Sequence, residues 1–315
     1  MTWYLWIIAI LVLMILLFIP FTSYMIARNM FHPSRLSLLE TRNAENQKSP
    51  GLMDEYDSWD IASYQIESRD GFSLQVYDVE PIEPTLDFVV MAHRYSYSHH
   101  GVVKYANIMR NMGYHVVMFD ERFHGKSGGN FCSMGGLEQY DLYDVISDVY
   151  TRYGNDIFLG TYGESMGAAT ALLEQRNDSR VRFVGADCPF SDLESITTYL
   201  VKKKSHLPKW PFINLADLFF YKATKQHIQD ISPLEAVKDT KVPIFYAHGV
   251  NDTFILPYHS QILYDATPTL KKLYFGENGA RHVEAQRKNP KEYLSSLNEF
   301  LIEVKRSYNT DNEVK

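Results

Sequence analysis

The stretch that most constrains this chain is Gly163–Gly167, which reads G-x-S-x-G. The apolar segment before it, 156–161, predicts a buried strand, and the Ala- and Leu-rich segment after it, 168–174, predicts a helix. A serine on so sharp a strand-to-helix turn is held in a strained backbone, and small neighbours permit the close approach. We therefore expect Ser165 to present its hydroxyl above a sheet edge, with the backbone N–H of Met166 directed at the same region.

Two candidate partners follow Ser165 in a fixed order. Asp252 comes just after the apolar run 242–247, and His282 lies in the loop that follows the predicted last strand, 273–275. Ser…Asp…His is one of the known chain orders of a nucleophile, its acid and its base. Both loops lie beyond the carboxyl ends of strands, where open parallel sheets bind ligands. The alternative, an incidental serine in a glycine-rich turn, does not account for these partners.

Alternatives exist for the acid and for the base. Asp252 also suits a solvated turn, and Asp265 and Asp187 are other carboxylates that could take its place. Of the eleven histidines, His282 has the expected position, whereas His248 is expected to support its own loop. A serine hydroxyl needs an imidazole to take its proton, and the imidazole needs a carboxylate to orient it.

Three further motifs accompany this set: DERFHGKSGG at 120–129, DCPF at 187–190 and ENG at 277–279. Together with the Ser…Asp…His order, they make the chain resemble the α/β-hydrolase superfamily over roughly residues 60–306. It is most similar to the bacterial membrane-anchored, esterase-like serine hydrolases. The resemblance implies an α/β-hydrolase fold and a reaction that needs no metal or organic cofactor.

The resemblance also assigns roles. It implies Ser165 as nucleophile, His282 as base and Asp252 as acid, with the oxyanion bound by the N–H groups of Met166 and Tyr95. The family usually has His-Gly before the second donor, whereas this chain has His-Arg, so Arg94 replaces the glycine. If that glycine needs a positive φ, Arg94 is strained there. Arg94 could bind an anionic substrate group, or it could be a surface arginine on a tolerant loop.

The N-terminus carries the other strong signal. No charged side chain occurs from Met1 to Ala27, and the run from Trp3 to Phe21 is almost wholly apolar, which is long enough to span a bilayer. A basic n-region and a small-residue cleavage site, typical of a cleaved signal peptide, are not evident. We expect an uncleaved single-pass anchor over 1–27. Arginines after the span favour a cytoplasmic catalytic domain by the positive-inside rule, although relatives of this type often have the opposite topology.

Residues 28–59 are polar and irregular, and they predict a linker or tether between the anchor and an α/β-hydrolase domain at 60–315. That domain is large enough for a sizeable core. The net charge of −7 argues against nucleic acid as a partner. The two cysteines, Cys132 and Cys188, have no metal-ligand spacing and imply no disulfide.

Alternating strand and helix patterns predict a mostly parallel sheet with helices on both faces. The predicted strands are 61–67, 72–79, 88–92, 114–119, 156–161, 181–186, 242–247 and 273–275, and the predicted helices are 102–112, 140–153, 168–174 and 289–304. Between about 191 and 232 the strand pattern lapses, which indicates a small helical cap. Trp210 and Phe212 in this segment are candidate substrate-binding residues. Lys202–Lys204 and Lys209 beside them could lie on anionic lipid, or could form an ordinary solvated face.

These features predict a serine hydrolase that cleaves carboxylic esters or thioesters of small molecules or lipids through an acyl-enzyme. A serine peptidase or amidase is an alternative, because the same triad cleaves amides. A catalytically silent, membrane-anchored binding protein that keeps the fold is another. Lipase or thioesterase activity on lipids would show as rates that rise with acyl length.

Overall fold

Eight strands form one sheet in the computed structural model, which describes residues 3–313. The strands are β1 Ile61–Glu67, β2 Ser73–Val79, β3 Asp87–Ala92, β4 His115–Phe119, β5 Phe158–Glu164, β6 Val184–Asp187, β7 Ile244–Gly249 and β8 Lys271–Gly276. Their spatial order is β1-β2-β4-β3-β5-β6-β7-β8. Strand β2 pairs antiparallel with β1 and β4, and the remaining pairs are parallel. The predicted mostly parallel sheet is confirmed.

The α-helices of the described residues flank this sheet or precede it. They are α1 Trp3–Phe31, α2 Leu38–Lys48, α3 Leu52–Asp57, α4 Val103–Asn111, α5 Glu138–Tyr153, α6 Met166–Glu174, α7 Leu193–Ser205, α8 Lys209–Thr224, α9 Pro233–Val237, α10 Tyr258–Ala266, α11 Ala285–Lys288 and α12 Pro290–Glu313. The patterns at 102–112, 140–153, 168–174 and 289–304 correctly predict α4, α5, α6 and α12. Helix α10 was not predicted.

The two faces of the sheet carry separate hydrophobic cores, because successive side chains of a strand point to opposite sides. On β3, Val89 and Met91 pack with residues of α4 and α12, whereas Phe88 and Val90 pack with residues of α5, α6 and α10. Both cores are almost completely shielded from solvent. Helices therefore cover both faces, and the carboxyl ends of the parallel strands are left as the rim on which loops can build a site.

Strand ends differ from the sequence prediction where pairing continues past the apolar run. The strand predicted at 156–161 is observed as β5, Phe158–Glu164. It extends beyond residue 161 because Tyr162 and Gly163 continue the parallel ladder with both β3 and β6. Glu164 also belongs to β5, so the strand leads directly into Ser165. The apolar pattern could not predict that Glu164 belongs to the strand, because this residue is charged. Its place in β5 depends on pairing with the neighbouring strand β6.

The segment 28–59 is not the irregular tether that its composition predicts. Ser37 caps α2 in a capping box, in which its side chain accepts from the N–H of Glu40 and the Glu40 carboxylate accepts from the N–H of Ser37. Leu52, Met53 and Tyr56 of α3 join the core beneath α4. Long-range packing therefore orders a segment whose local sequence is polar.

Helices α7 and α8 lie between β6 and β7, in the region where the sequence predicts a cap. They form a third hydrophobic cluster that includes Leu193, Ile196 and Phe220, and Ala27 and Met30 of α1 pack into it. Helix α1 is the helix of the described residues that is long and apolar enough to cross a membrane, by length and composition. Its first part, Trp3 to Phe18, is exposed, whereas its last turns belong to the packed structure.

Candidate active site

Ser165 occupies the turn between β5 and α6 with φ 55° and ψ −114°, a strained backbone conformation for a residue with a side chain. The glycines on either side make this turn sterically possible. A Cβ atom added at Gly163 would overlap the backbone of Gly167, and one added at Gly167 would overlap the backbone of Ala92 and His93. The motif therefore brings the start of α6 against the end of β3.

Three side chains from distant parts of the chain meet at this turn. The Oγ of Ser165 lies 3.0 Å from Nε2 of His282, and Nδ1 of His282 lies 2.7 Å from Oδ2 of Asp252. Ser165 and Asp252 are buried, while about one fifth of the His282 side chain is exposed. The loops after β5, β7 and β8 supply the three groups, so the parallel strand ends place them at one rim.

The carboxylate of Asp252 is fully engaged. Its Oδ1 accepts hydrogen bonds from the backbone N–H groups of Phe254 at 2.7 Å and Ile255 at 3.0 Å. Burial alone would raise the pKa of Asp252, but hydrogen bonds with His248 and His282 hold that pKa below its ordinary value. The group is therefore ionised at neutral pH and can stabilise a cationic imidazole.

The structure separates the competing candidates from the imidazole. Asp187 is buried behind the site, where its Oδ2 accepts from the hydroxyl of Tyr105 at 2.8 Å. Asp265 accepts from Gln261 at 2.9 Å on the exposed side of α10. Of the carboxylates considered from sequence, Asp252 is the one that the described hydrogen bonds connect to His282.

The two predicted oxyanion-binding residues lie next to each other. Met166 is the first residue of α6, and the Tyr95 side chain packs against a small cluster formed by Phe123, Cys132 and Met166. The close contact between Gly167 and the end of β3 holds the loop that contains Tyr95 beside the serine. Backbone N–H groups at a helix N-terminus are suited to bind developing negative charge.

The structure corrects both interpretations of Arg94 as a surface or substrate-contacting side chain. Arg94 is buried, and its guanidinium donates to Glu164 at 2.6 Å and to Glu45 at 3.0 Å while it stacks over the ring of Tyr97 at 3.4 Å. The expected backbone strain is also wrong, because the positive φ of this loop falls on Ser96, at 63°. Arg94 is therefore an internal ion-pair residue.

Sequence reasoning missed the charged cluster behind the serine. Glu164, the residue before Ser165, pairs on its other side with the buried ammonium of Lys104, and Glu45 of α2 also pairs with Arg287. Burial alone would raise the pKa values of Glu45 and Glu164, but the surrounding cations lower both. The available signal was a charged residue, Glu164, at the end of an otherwise apolar buried run.

The last turn of α1 and the residues after it also lie along the loops of the site, which the sequence did not predict. They contact the loop that contains Tyr95 and the loop 120–129 of the family-like motif. The contacts are Tyr95 hydroxyl to Asn29 O, Cys132 N to Phe31 O at 2.8 Å, the His32 and Phe123 rings at 4.8 Å, Arg35 Nη1 to Phe123 O at 2.7 Å and Leu36 N to Ser96 O at 3.0 Å. The candidate active site and the N-terminal helix are therefore close neighbours.

Trp210 and Phe212 are not brought to the serine by the described contacts. Trp210 is 76 % exposed at the start of α8. Phe212 is buried, and its ring packs edge-on against Phe18 of α1 with 6.0 Å between centroids. Both lie in α8, between β6 and β7, and their described surroundings are solvent and the N-terminal helix.

Cys188 completes a group of potential metal ligands, since its Sγ, an Asp252 oxygen and a His282 ring nitrogen lie within 4.8 Å of one another. Metal binding needs a thiolate, whereas burial raises the pKa of the Cys188 thiol well above its ordinary value. Asp252 and His282 are also bonded to each other at 2.7 Å. This donor set suits a carboxylate–imidazole pair better than a metal.

Comparison with known proteins agrees with this architecture. A family model described as serine aminopeptidase, S33, matches residues 83–186, which contain β3, β4, β5 and Ser165. The uncharacterized protein YqkD of Bacillus subtilis (strain 168) is 29 % identical over 259 residues, covering 82 % of this chain and 84 % of that protein.

Solved structures share the fold. The Pyrococcus furiosus esterase Pf2001 superposes with a TM-score of 0.64 at 24 % identity, over 79 % of this chain and 94 % of the esterase. The Pyrococcus horikoshii acylaminoacyl peptidase gives a TM-score of 0.55 at 16 % identity, over 78 % of this chain and 41 % of the peptidase. These likenesses show that the chain has the α/β-hydrolase fold.

Proposed function

We propose that this protein is a serine hydrolase that cleaves carboxylic esters or thioesters through an acyl-enzyme, with Ser165, His282 and Asp252 as the triad. The supporting observation is the hydrogen-bonded sequence from Ser165 to His282 at 3.0 Å and from His282 to Asp252 at 2.7 Å. Such an arrangement lets the imidazole take the serine proton as the hydroxyl attacks a carbonyl carbon.

In the acylation step, Ser165 Oγ forms a bond to the carbonyl carbon while His282 Nε2 accepts the hydroxyl proton. The N–H groups of Met166 and Tyr95 bind the resulting oxyanion. Collapse of this intermediate breaks the bond to the alcohol or thiol, which receives the proton from His282. Water then attacks the acyl-serine, with His282 acting first as base and then as acid, and the carboxylic acid leaves.

Amide cleavage is the second candidate reaction. It is favoured by the family-model description, serine aminopeptidase, and by the fold shared with an acylaminoacyl peptidase. Esters rank first because an alcohol or thiol is a better leaving group than an amine. The third candidate, a catalytically silent binding protein, would be favoured if Arg94 distorted the loop that carries Tyr95. Arg94 is instead a buried ion-pair residue, and the positive φ of that loop falls on Ser96.

The membrane anchor belongs to the same proposal. We propose that α1 is retained as a single-pass anchor, because a cleaved signal peptide would remove Ser23, Ala27 and Met30, which are buried in the folded structure. The catalytic domain then includes residues 28–59, which dock on it as helices α2 and α3. The arginines that follow the span favour a cytoplasmic domain.

A fluorophosphonate probe tests the catalytic part on the full chain in detergent. We expect the wild type to be labelled and the Ser165→Ala variant to be unlabelled, while Ser295→Ala, which removes a surface hydroxyl of α12, is labelled like the wild type. A folded wild type that resists labelling would favour the silent scaffold.

The Asp252→Asn variant tests the acid. An asparagine Oδ1 can still accept from the N–H groups of Phe254 and Ile255, so we expect the fold to survive. Turnover of a p-nitrophenyl ester should fall by about 10⁴-fold, because the imidazole loses its charged partner. Comparison of matched ester, thioester and anilide substrates then separates esterase from amidase activity, and near-normal turnover would assign the acid role to another carboxylate.

A further inference from the structure

The corner between α7 and α8 has an unusual composition. We call residues Lys202–Trp210 the cap tip. This stretch contains four lysines and no acidic residue, in a chain whose net charge is −7. The four lysines are exposed, and Trp210 is 76 % exposed at the end of the stretch. A cationic surface with an exposed tryptophan has the composition typical of a membrane interface.

The length of α1 places the cap tip at the depth of a bilayer surface. Phe18 packs on Phe212 and Tyr24 packs on Phe219, so α1 and α8 run side by side in the same direction. From Trp3 to Phe18 the helix has sixteen exposed residues, or about 24 Å at a rise of about 1.5 Å per residue.

A bilayer core is about 30 Å thick, so a spanning α1 that begins at Trp3 needs about four residues beyond Phe18. Those residues lie alongside the start of α8, because Phe18 already contacts Phe212. If α1 spans the membrane, the N-terminal end of α8, including Trp210, therefore lies at the membrane surface. Tilting α1 brings the cap tip still closer to the lipid.

We propose that the cap tip docks into the headgroup layer of an anionic phospholipid bilayer, with Trp210 inserted at the interface and Lys202 and Lys204 facing lipid phosphates. This inference rests on the proposal that α1 is a membrane anchor. A surface cavity of about 460 Å³, lined by Tyr199, Lys202, Lys203 and His206, offers room for a headgroup. Lysine stems can lie along apolar lipid while their ammonium groups reach the phosphates.

Docking at this tip would bring the candidate active site to the membrane. The Tyr199 hydroxyl donates to the backbone carbonyl of Thr253 at 2.9 Å, and the Lys203 ammonium donates to the same carbonyl. Thr253 follows Asp252, and the ring of Phe254 packs 5.0 Å from that of His282. The loop of the proposed acid is thus in direct contact with the docking surface, which favours esters that reside in the lipid.

Site-directed labelling of the full chain tests the depth of the cap tip. An environment-sensitive fluorophore is attached to Trp210→Cys, since the native Cys132 and Cys188 are buried. The protein is placed in nanodiscs of equal parts phosphatidylcholine and phosphatidylglycerol that contain lipids spin-labelled near the headgroup. We expect several-fold stronger quenching at position 210 than at Ile82→Cys, an exposed apolar residue in the loop before β3, at the opposite edge of the sheet.

A third label, at Leu11→Cys in α1, separates the two parts of the inference. Quenching of this label by lipids spin-labelled deep in the acyl chain verifies the span. If position 11 is quenched and position 210 behaves like position 82, the cap-tip proposal is wrong and the anchor stands. If position 11 is not quenched, the span and the cap-tip proposal both fail. Fluorophosphonate labelling of Ser165 in the same discs reports on the catalytic proposal independently.

The role of charge is tested by the double variant Lys202→Glu and Lys204→Glu. We expect quenching at position 210 in the mixed discs to drop to the level seen in discs of phosphatidylcholine alone. The control pair Lys238→Glu and Lys241→Glu makes the same charge change just before β7, at the sheet edge opposite the triad, and should leave quenching unchanged. If the two pairs behave alike, the lysines are an ordinary solvated helix end.

Discussion

Three non-glycine residues that belong to the triad or adjoin it hold a positive φ: Ser165 at 55°, Cys188 at 47° and Val283 at 57°. For a β-branched residue such as Val283 this conformation is a genuine outlier. Ser165 and Val283 belong to loops that meet at the triad, because Val283 directly follows His282, and Cys188 lies beside Asp252 and His282. Strain of this kind persists only where the surrounding structure enforces it, and it is typical of functional sites.

Arg94 shows that the residue type at one position does not predict its burial or its ion-pair partners. Its replacement of a glycine was visible in the sequence, and both interpretations of it assumed a solvent-facing loop. The partners that bury it, Glu45 and Glu164, are 49 and 70 residues away along the chain. Burial and pairing at that separation depend on the three-dimensional arrangement, so residue type alone could not predict them.

Glu174 at the end of α6 allows a test at the scale of one residue. Both carboxyl oxygens are buried without a hydrogen-bond partner among the described residues, and burial raises the pKa of this group well above its ordinary value. A raised carboxyl pKa means that the folded state loses stability as the pH rises above about 4.3, the ordinary glutamate value. We expect Glu174→Gln to raise the melting temperature by a few degrees at pH 8 and less at pH 5.

Thermal unfolding of the full chain in detergent measures this effect. The control is Glu299→Gln, since Glu299 is exposed and its pKa is lowered by hydrogen bonds from Lys272 and Ser295. That variant should show no gain at pH 8. An equal gain for Glu174→Gln at both pH values would mean that ionisation is not the cause.

At the scale of elements, α2 is part of the structure that supports the candidate active site. Its Glu45 is fully buried and links Arg94, which follows β3, to Arg287 in α11. Arg94 in turn contacts Glu164 at the end of β5. A helix from the supposed tether therefore holds together the loop that carries Tyr95 and the turn that carries Ser165.

We expect Glu45→Gln to destabilise the protein by about 3–5 kcal/mol, because it leaves the buried guanidinium of Arg287 without its charged partner and removes one of the two carboxylates that pair with Arg94. This corresponds to a drop in melting temperature of roughly 10 °C. Since the surrounding cations lower the pKa of Glu45, its contribution is present above about pH 4.3 and is lost as the pH falls. The difference from the wild type should therefore shrink below pH 4.

The matched control is Arg42→Ala in the same helix. Arg42 pairs with Asp57 at the surface, where both side chains are partly exposed, and such pairs contribute about 1 kcal/mol or less. Thermal unfolding should show little change for this variant. If Glu45→Gln and Arg42→Ala lower the melting temperature equally, the buried ion pairs of Glu45 contribute no more to stability than the surface pair does.

At the scale of the whole molecule, the N-terminal helix has two parts with different surroundings. Its exposed first part is suited to lipid, whereas Ala27 and Met30 pack into the cap cluster with Phe190 and Phe220. The N-terminal helix and the α/β domain are therefore one packed unit. Cutting the chain at the end of the helix would expose part of the cap.

Two truncated chains test this unity. A chain that starts at Thr22 keeps Ser23, Ala27 and Met30, and we expect it to fold and to react with a fluorophosphonate. A chain that starts at Pro33 lacks these residues and should be less stable by several kcal/mol, because burying one large apolar side chain contributes about 1.5–3 kcal/mol. Equal melting temperatures for the two chains would contradict the packed arrangement.

Much of this molecule could be read from the sequence, because the decisive signals are local. The G-x-S-x-G turn, the strand and helix periodicities, the long apolar helix and the order Ser165, Asp252, His282 each depend on short stretches of chain. Since parallel strands bring their carboxyl ends to one edge, chain order alone predicts which loops meet. The distances of 3.0 and 2.7 Å within the triad agree with that expectation.

The tertiary structure decided what depends on partners far apart in sequence. It converted the polar segment 28–59 into docked helices, buried Arg94 between Glu45 and Glu164, and laid α1 along α8. These pairings cannot be predicted from periodicity or composition. The sequence of a polar helix has the same pattern whether its charged side chains face water or a buried counter-ion. Charge pairing and burial are properties of the neighbours that a residue acquires, and those neighbours exist only in the folded chain.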